Sequence, residues 1–257
     1  MLLVFAHPDD ELFACGGTIA KYARNGWEID LICATRQKEL ESAAKLLGIR
    51  TIHFLNYKDG TLKEDRPGDL EDTLDKYLRT LAPSIVITFE PGGISNHPDH
   101  IRLTRAATYA FQKYAKTITH VQAIGISPDR PPRHPRDAWQ IEFAEVTFDQ
   151  TTPKLYYVCI PKSVGDYLIK AKLYPPEILG KPWSTTPDKF ITTVIDTHLF
   201  QKKKEAALNL HKTQEEDVKR FLADPGKALL AREFFILRMQ GEQEVFMGKS
   251  DRVSDRL

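Results

Sequence analysis

No sign of charge prevails in this chain of 257 residues: 36 Lys and Arg stand against 35 Asp and Glu, a formal net charge of +1. A nucleic-acid binder or a polybasic membrane-surface protein needs a field of one sign, and the sequence supplies none. No apolar run approaches the ~18 to 20 residues of a spanning helix. Cysteine is scarce as well. Cys15, Cys33 and Cys159 are odd in number, far apart and free of any C-x-x-C pair. That excludes a disulfide framework or a zinc ribbon and points to a reducing cytoplasm. The first residues lack a basic n-region, and their apolar stretch stops at His7-Pro8-Asp9-Asp10, so they do not read as a signal peptide. No G-x-G-x-x-G follows a predicted strand, which leaves hydride transfer unsupported. Internal repeats and low-complexity tracts are also lacking. What remains is an ordinary globular composition, 42% hydrophobic and 28% charged with a mean hydropathy of -0.37.

The apolar periodicity alternates between strand and helix. Residues 2 to 6 read as a strand, 11 to 24 as a helix closed near Gly26, 28 to 34 as a strand, and Leu40, Ala43, Ala44 and Leu47 as the stripe of a helix ended by Gly48. Thr51 to Leu55 is a third strand. Pro67 then opens a helix carrying Leu70, Leu74, Tyr77, Leu78 and Leu81, and Ser84 to Phe89 is a fourth strand. This pattern predicts an α/β fold, a doubly wound, mostly parallel Rossmann-like sheet. A helix from Asp99 to Ala115 and a strand at 121 to 126 follow. Residues 127 to 137, rich in Pro and Arg, read as a linker or surface loop. Beyond it we expect strands at 141 to 148, 155 to 160 and 190 to 196, with helices near 163 to 173 and 198 to 222. We read residues 1–257 as one domain, with a core at 1–126 and a C-terminal elaboration at 138–257 forming an appended layer.

Two polar clusters carry the chemistry. Ala6-His7-Pro8-Asp9-Asp10-Glu11 sits where the first strand passes into a helix, and Asn96-His97-Pro98-Asp99-His100 sits at the same kind of junction after the fourth strand. In a sheet of order 3-2-1-4-5 those strands are neighbours at the switch point, so both clusters face one crevice. Any single acid of the first cluster also suits a helix start as a cap or a dipole partner. Taken together, His7 and Asp10 across a tight turn and His100 from the neighbouring junction form a two-His, one-carboxylate set. Three protein ligands with an open position suit one catalytic divalent ion, zinc first and ferrous iron as the other candidate. Asp9 is then free to take a proton from water. His97 is placed to donate to an oxyanion and to the leaving group, and Asp99 to orient a histidine.

With A-H-P-D-D-E at 6 to 11 and H-P-D-H at 97 to 100, the sequence resembles the PIG-L/LmbE-like family of metal-dependent N-acetylglucosaminyl deacetylases. Supporting features are Cys15-Gly16-Gly17-Thr18, Arg36 with Glu39 and Leu40, Asp59-Gly60, Asp196, and the run Lys204, Ala207, Leu208, His211 and Gln214. The resemblance spans residues 2 to about 215. It implies metal ligation by His7, Asp10 and His100, a general base at Asp9, oxyanion stabilisation or acid catalysis at His97, and a sugar or aglycone pocket lined by Arg36 and Asp59 with His211 near it. Members carry a longer T-x-G-E loop where Thr35 here runs directly into Arg36.

The expected reaction is removal of an acetyl group from an N-acetylglucosamine-type amino sugar or glycoconjugate. The partners are then a small amino-sugar substrate, with no nucleic acid and no membrane, and homo-oligomerisation stays open. Two rivals remain: a metal-dependent amidase for another acylated small molecule, and a sugar-binding protein without catalysis. A pure binder has no need of the spare carboxylate Asp9.

Overall fold

The computed structural model describes residues 1–36, 38–123, 152–223, 231–245 and 253–257. The apolar runs become β1 (Leu2–Phe5), β2 (Asp30–Cys33), β3 (Thr51–Phe54) and β4 (Ile85–Phe89). Every residue of β1, β2 and β4 is buried, as strands covered on both faces require. Between the strands lie α1 (Asp10–Arg24), α2 (Glu39–Leu47) and α3 (Asp69–Leu81). The one-turn α4 (Gly93–Asn96) and the long α5 (Pro98–Ala123) follow β4. The chain leaves α2 through Gly48, whose left-handed φ of 97° and closeness to Ala23 exclude a side chain.

β5 (Lys154–Cys159) pairs parallel with β4, which completes the order 3-2-1-4-5. Right-handed crossovers put α1 and α2 on one face and α3 and α5 on the other. That agrees with the packing of α3 along α5 and of α1 and α2 with a later helix. The fold is thus a doubly wound α/β sheet, mostly parallel, with its switch point between β1 and β4.

The second half departs from the sequence reading. The expected strand at 121 to 126 is helical as far as Ala123, since a short β-branched run cannot be told from a last helical turn by periodicity. The fifth strand is supplied instead by 154 to 159. After α6 (Lys162–Lys170) and the small hairpin β6 (Glu177–Ile178) and β7 (Lys181–Pro182) comes β8 (Thr193–Asp196). The single helix expected over 198 to 222 is two, α7 (Gln201–Leu208) and α8 (Glu215–Leu222), with His211 in the break between them.

β9 (Arg232–Gln240) then runs antiparallel to both β5 and β8, and β10 (Gln243–Glu244) pairs with it. The second half therefore extends the same sheet and does not form an appended layer. The linker at 127 to 137 with Arg130, Arg133, Arg136 and His134, the remainder of the 121 to 126 strand, and the strand at 141 to 148 lie outside the described residues. Among the described residues no helix is long and apolar enough to cross a membrane.

Candidate metal centre and active site

His7 leaves the end of β1, and the chain turns at once into α1. Asp9 at that turn has φ 119°, a left-handed backbone rarely adopted outside glycine and costing on the order of 1 to 3 kcal/mol. The acids there are not spent on capping. Asp9 makes no side-chain cap, and the Asp10 carboxylate accepts from the His7 backbone N–H at 2.7 Å. The second cluster is equally constrained. Gly93, Ile94 and Asn96 all have positive φ, and a Cβ on Gly93 would stand 2.6 Å from that of His100. Glu90, which sequence reasoning missed, gathers this loop by accepting from the Gly92 and Ile94 amides and the Ser184 hydroxyl at 2.7 to 2.8 Å. The Asn96 amide nitrogen donates to Pro182 O at 2.9 Å, which ties the loop to the β6–β7 hairpin.

These two junctions meet. His7 Nδ1 lies 3.0 Å from His100 Nε2, His100 Nε2 lies 3.4 Å from Asp10 Oδ1, and His7 Nδ1 lies 3.7 Å from Asp10 Oδ2. A tetrahedral ion with ligands at ~2.0 to 2.2 Å sets its donor atoms ~3.3 to 3.6 Å apart, and the two imidazole nitrogens lie near that spacing from each other and from one or other Asp10 oxygen. The outer partners matter more than the distances. His100 Nδ1 faces the Gly93 carbonyl at 2.9 Å and must donate to it. His7 Nε2 faces the Asp59 carboxylate at 2.9 Å and that of Asp99 at 3.4 Å, and donates there. With both outer nitrogens donating, His7 Nδ1 and His100 Nε2 face each other at 3.0 Å, a contact that either a proton between them or a metal cation held by both would satisfy. Outer hydrogen bonds that aim two imidazoles at one point are how metal-binding histidines are held.

A His97 nitrogen also lies within 4.8 Å of nitrogens of His7 and His100. Its ring, however, stands edge-on to His7 at 83°, and its Nδ1 accepts the Asp99 backbone N–H at 3.2 Å. The Asp99 carboxylate accepts from the Gly60 and Leu62 amides at 2.7 and 3.1 Å, and its charge favours the imidazolium of His97 less than burial disfavours it. Burial, together with His100 and His7, holds His97 below the ordinary imidazole range, so it is neutral at pH 7. The Asp9 carboxyl is pushed up to about 9, first by burial and then by Asp10 and Glu11. Glu11 is fully buried behind it and raised to about 8 by the same burial.

The remaining residues singled out from sequence fall elsewhere. Asp59 stands behind His7, and by accepting the amides of 60 and 62 Asp99 fixes the loop that brings it there. Arg36 is 61% exposed, 3.8 Å from Glu41 and over the Phe54 ring. His211 is buried between the C-terminal helices. None of these three lines the cavity that opens beside Asp9, Asp10 and His100.

A further feature without a signal in the apolar pattern is a break in α1. Cys15 has φ -149° and ψ 27°, which frees the Phe13 carbonyl and the Gly17 and Thr18 amides. Glu233 of β9 accepts both amides at 2.8 and 2.6 Å, and Lys204 of α7 donates to Glu233 at 2.6 Å and to Phe13 O at 3.2 Å. Lys204 and Glu233 are only 1% and 3% exposed. Replacing Lys204 with Met strands a buried carboxylate, so Lys204→Met is expected to lose ~3 to 5 kcal/mol of stability. Urea unfolding with an unchanged m-value and a lowered midpoint is the check. A midpoint equal to wild type would show the pair to be dispensable.

The family described as "PIG-L: GlcNAc-PI de-N-acetylase" matches residues 2–111, a stretch that holds both His clusters. The "Probable N-acetyl-alpha-D-glucosaminyl L-malate deacetylase 2" of Bacillus anthracis is 34% identical over 39% of this chain and 54% of its own, so this match spans about half of that relative. A 1D-myo-inositol 2-acetamido-2-deoxy-alpha-D-glucopyranoside deacetylase of Acidothermus cellulolyticus is 30% identical over 83% of this chain and 79% of its own length. The crystal structure of GalB, the 4-carboxy-2-hydroxymuconate hydratase of Pseudomonas putida KT2440, superposes with a TM-score of 0.57 over 95% of this chain and 98% of that one. At 17% identity it shows the shared fold alone, and a hydratase on this fold means that fold does not by itself select the reaction. The extended similarity to the Acidothermus protein, together with both His motifs at one switch point, places the chain in the PIG-L/LmbE-like family.

Proposed function

We propose that this protein is a metal-dependent hydrolase that removes the N-acetyl group from an N-acetylglucosamine-type amino sugar or glycoconjugate, releasing acetate and a free amine. The observation that carries this reading is the convergence of His7 Nδ1 and His100 Nε2, 3.0 Å apart, beside the Asp10 carboxylate, with Asp9 making no side-chain cap next to them. His7, Asp10 and His100 hold the ion, zinc in our reading with ferrous iron as the alternative. Such an ion supplies a Lewis acid that polarises a carbonyl and makes water more acidic.

The chain's own residues do the rest. Asp9, whose carboxyl a cation beside it returns toward the ionised form, takes a proton from the attacking water and delivers it to the departing nitrogen. His97 accepts the Asp99 N–H at Nδ1, so its Nε2 carries the proton and acts as a neutral donor to the developing oxyanion. Removal of one such donor slows turnover by roughly 100- to 1,000-fold. His97→Ala is therefore expected to keep its metal and lose kcat by that factor; a kcat within threefold of wild type would remove His97 from the mechanism.

The three buried, separate thiols support our placement of the protein in the cytoplasm. Substrate choice is tested by a free-amine assay across N-acetylglucosamine, its inositol, malate and short chitin-type conjugates, and unrelated acyl amides. Release is expected to be fastest from one of the amino-sugar amides. Faster release from the unrelated amides would favour the general amidase reading instead.

A further inference from the structure

Cys15-Gly16-Gly17-Thr18 and Lys204, which stand out in the sequence, meet at the break in α1, and amide hydrolysis as described above gives them no task. In a regular helix the amides of residues 17 and 18 donate to the carbonyls of residues 13 and 14. Here the Glu233 carboxylate accepts both amides, and the Lys204 ammonium, 2.6 Å from that carboxylate, donates to the Phe13 carbonyl. The ion pair thus stands inside the backbone ladder, its negative end toward the donors and its positive end toward the acceptor. Two glycines make room for it. A Cβ on Gly16 would stand 3.2 Å from Lys204 Cγ, and one on Gly17 would stand 2.6 Å from Thr197 Cβ.

The break sets residues 10 to 14 apart as a single turn, and that turn carries the site. Asp10 belongs to it, the Leu12 and Phe13 amides donate to the Asp9 carbonyl at 2.8 and 3.0 Å, and Phe13 and Ala14 line the cavity beside Asp9 and His100. Lys204 therefore holds the carbonyl of the same residue whose amide holds Asp9. Glu233 belongs to β9, which is paired on its two sides by β5 and β8. The anchor is fixed to the sheet and not to a loop.

We propose that Lys204 and Glu233 are positioning residues for the metal centre: by holding the break open they set the direction of the turn that presents Asp10 to the ion and Asp9 to the water. This rests on the metal-dependent hydrolase reading. Without the pair, the amides of 17 and 18 return to the carbonyls of 13 and 14, α1 straightens, and Asp9 and Asp10 shift relative to His7 and His100.

The test separates stability from metal binding. Replacing a buried ion pair by apolar residues of similar volume is commonly neutral or stabilising, whereas removing one partner strands the other. The urea midpoint is expected to fall in Lys204→Met and to return near wild type in Lys204→Met/Glu233→Leu. Zinc affinity, measured by competition with a chromophoric chelator, is not expected to return. Its Kd should stay at least about tenfold above wild type in both variants, as changes around metal ligands weaken binding roughly 10- to 100-fold. Turnover should stay low as well, since a misplacement of ~1 Å costs about 100-fold. Leu74→Ala, which empties a buried position of α3, lowers the midpoint without touching the turn and should keep a zinc Kd within about threefold of wild type.

A double variant with both midpoint and zinc Kd at the wild-type level would overturn the proposal and leave the metal-dependent reading intact. So would a zinc Kd in Leu74→Ala raised as far as in Lys204→Met, because lost stability would then explain both. Should the double variant fail to fold, Glu233→Gln decides, as it keeps one oxygen for the two amides and removes the charge partner of Lys204. Its zinc Kd is expected to exceed that of Leu74→Ala by at least about tenfold, and equality of the two would overturn the proposal. A wild-type chain that binds no zinc would overturn this proposal together with the reading beneath it.

Discussion

His100→Ala is expected to leave the purified protein with less than about a tenth of one equivalent of divalent metal and no measurable amine release. The expectation follows from the triangle of His7, His100 and Asp10. His100 contributes the Nε2 that sits 3.0 Å from His7 Nδ1 and 3.4 Å from Asp10, and its ring is seated by stacking on Phe89 at 4.2 Å with planes 3° apart. Changes to outer partners of such ligands already weaken metal binding by roughly 10- to 100-fold, so removal of the ligand itself goes further. The variant loses ring packing too, so its thermal midpoint must be followed alongside elemental analysis. A folded variant with wild-type metal content would sink the assignment of the site.

Asp9→Asn is expected to separate the base from the ligands. Asparagine keeps the size and fits the positive φ at this turn as well as aspartate does, but it takes no proton. Metal content should stay at the wild-type level while kcat falls roughly 100- to 10,000-fold, the usual worth of general-base catalysis. Two results would count against the role. Retention of more than about a tenth of wild-type kcat would mean that another group is the base. Loss of metal would mean that Asp9, not Asp10, completes the ligand set.

The meeting of the two His-Pro-Asp clusters was legible because each followed an apolar strand, and the order 3-2-1-4-5 puts those strands side by side. The helix stripes of α2 and α3 were equally plain from spacing. β9 was not, because Glu233 and Arg238 interrupt its apolar run and its register against β5 shifts between Leu155 and Tyr156. Without β9 the place of Lys204 could not be seen, since its partner Glu233 and the broken helix it serves meet only in three dimensions. The charge of His97 depends on the same three-dimensional placement: the backbone N–H of Asp99 faces its ring while the carboxylate turns to Gly60 and Leu62, so burial outweighs the neighbouring acid. The cavity beside Asp9, Asp10 and His100 had no local signature, as its described lining is drawn from residues between 9 and 221.

The central claim, that His7, Asp10 and His100 hold an ion on which amide hydrolysis depends, meets its most direct test in a titration. Protein stripped with a chelator and dialysed is supplied with zinc in sub-stoichiometric steps, and amine release from an N-acetylated amino sugar is recorded at each step. The account predicts negligible release at the start, a proportional rise and a plateau at about one equivalent per chain. Full release before any metal is added, or release that does not respond to metal at all, would contradict it.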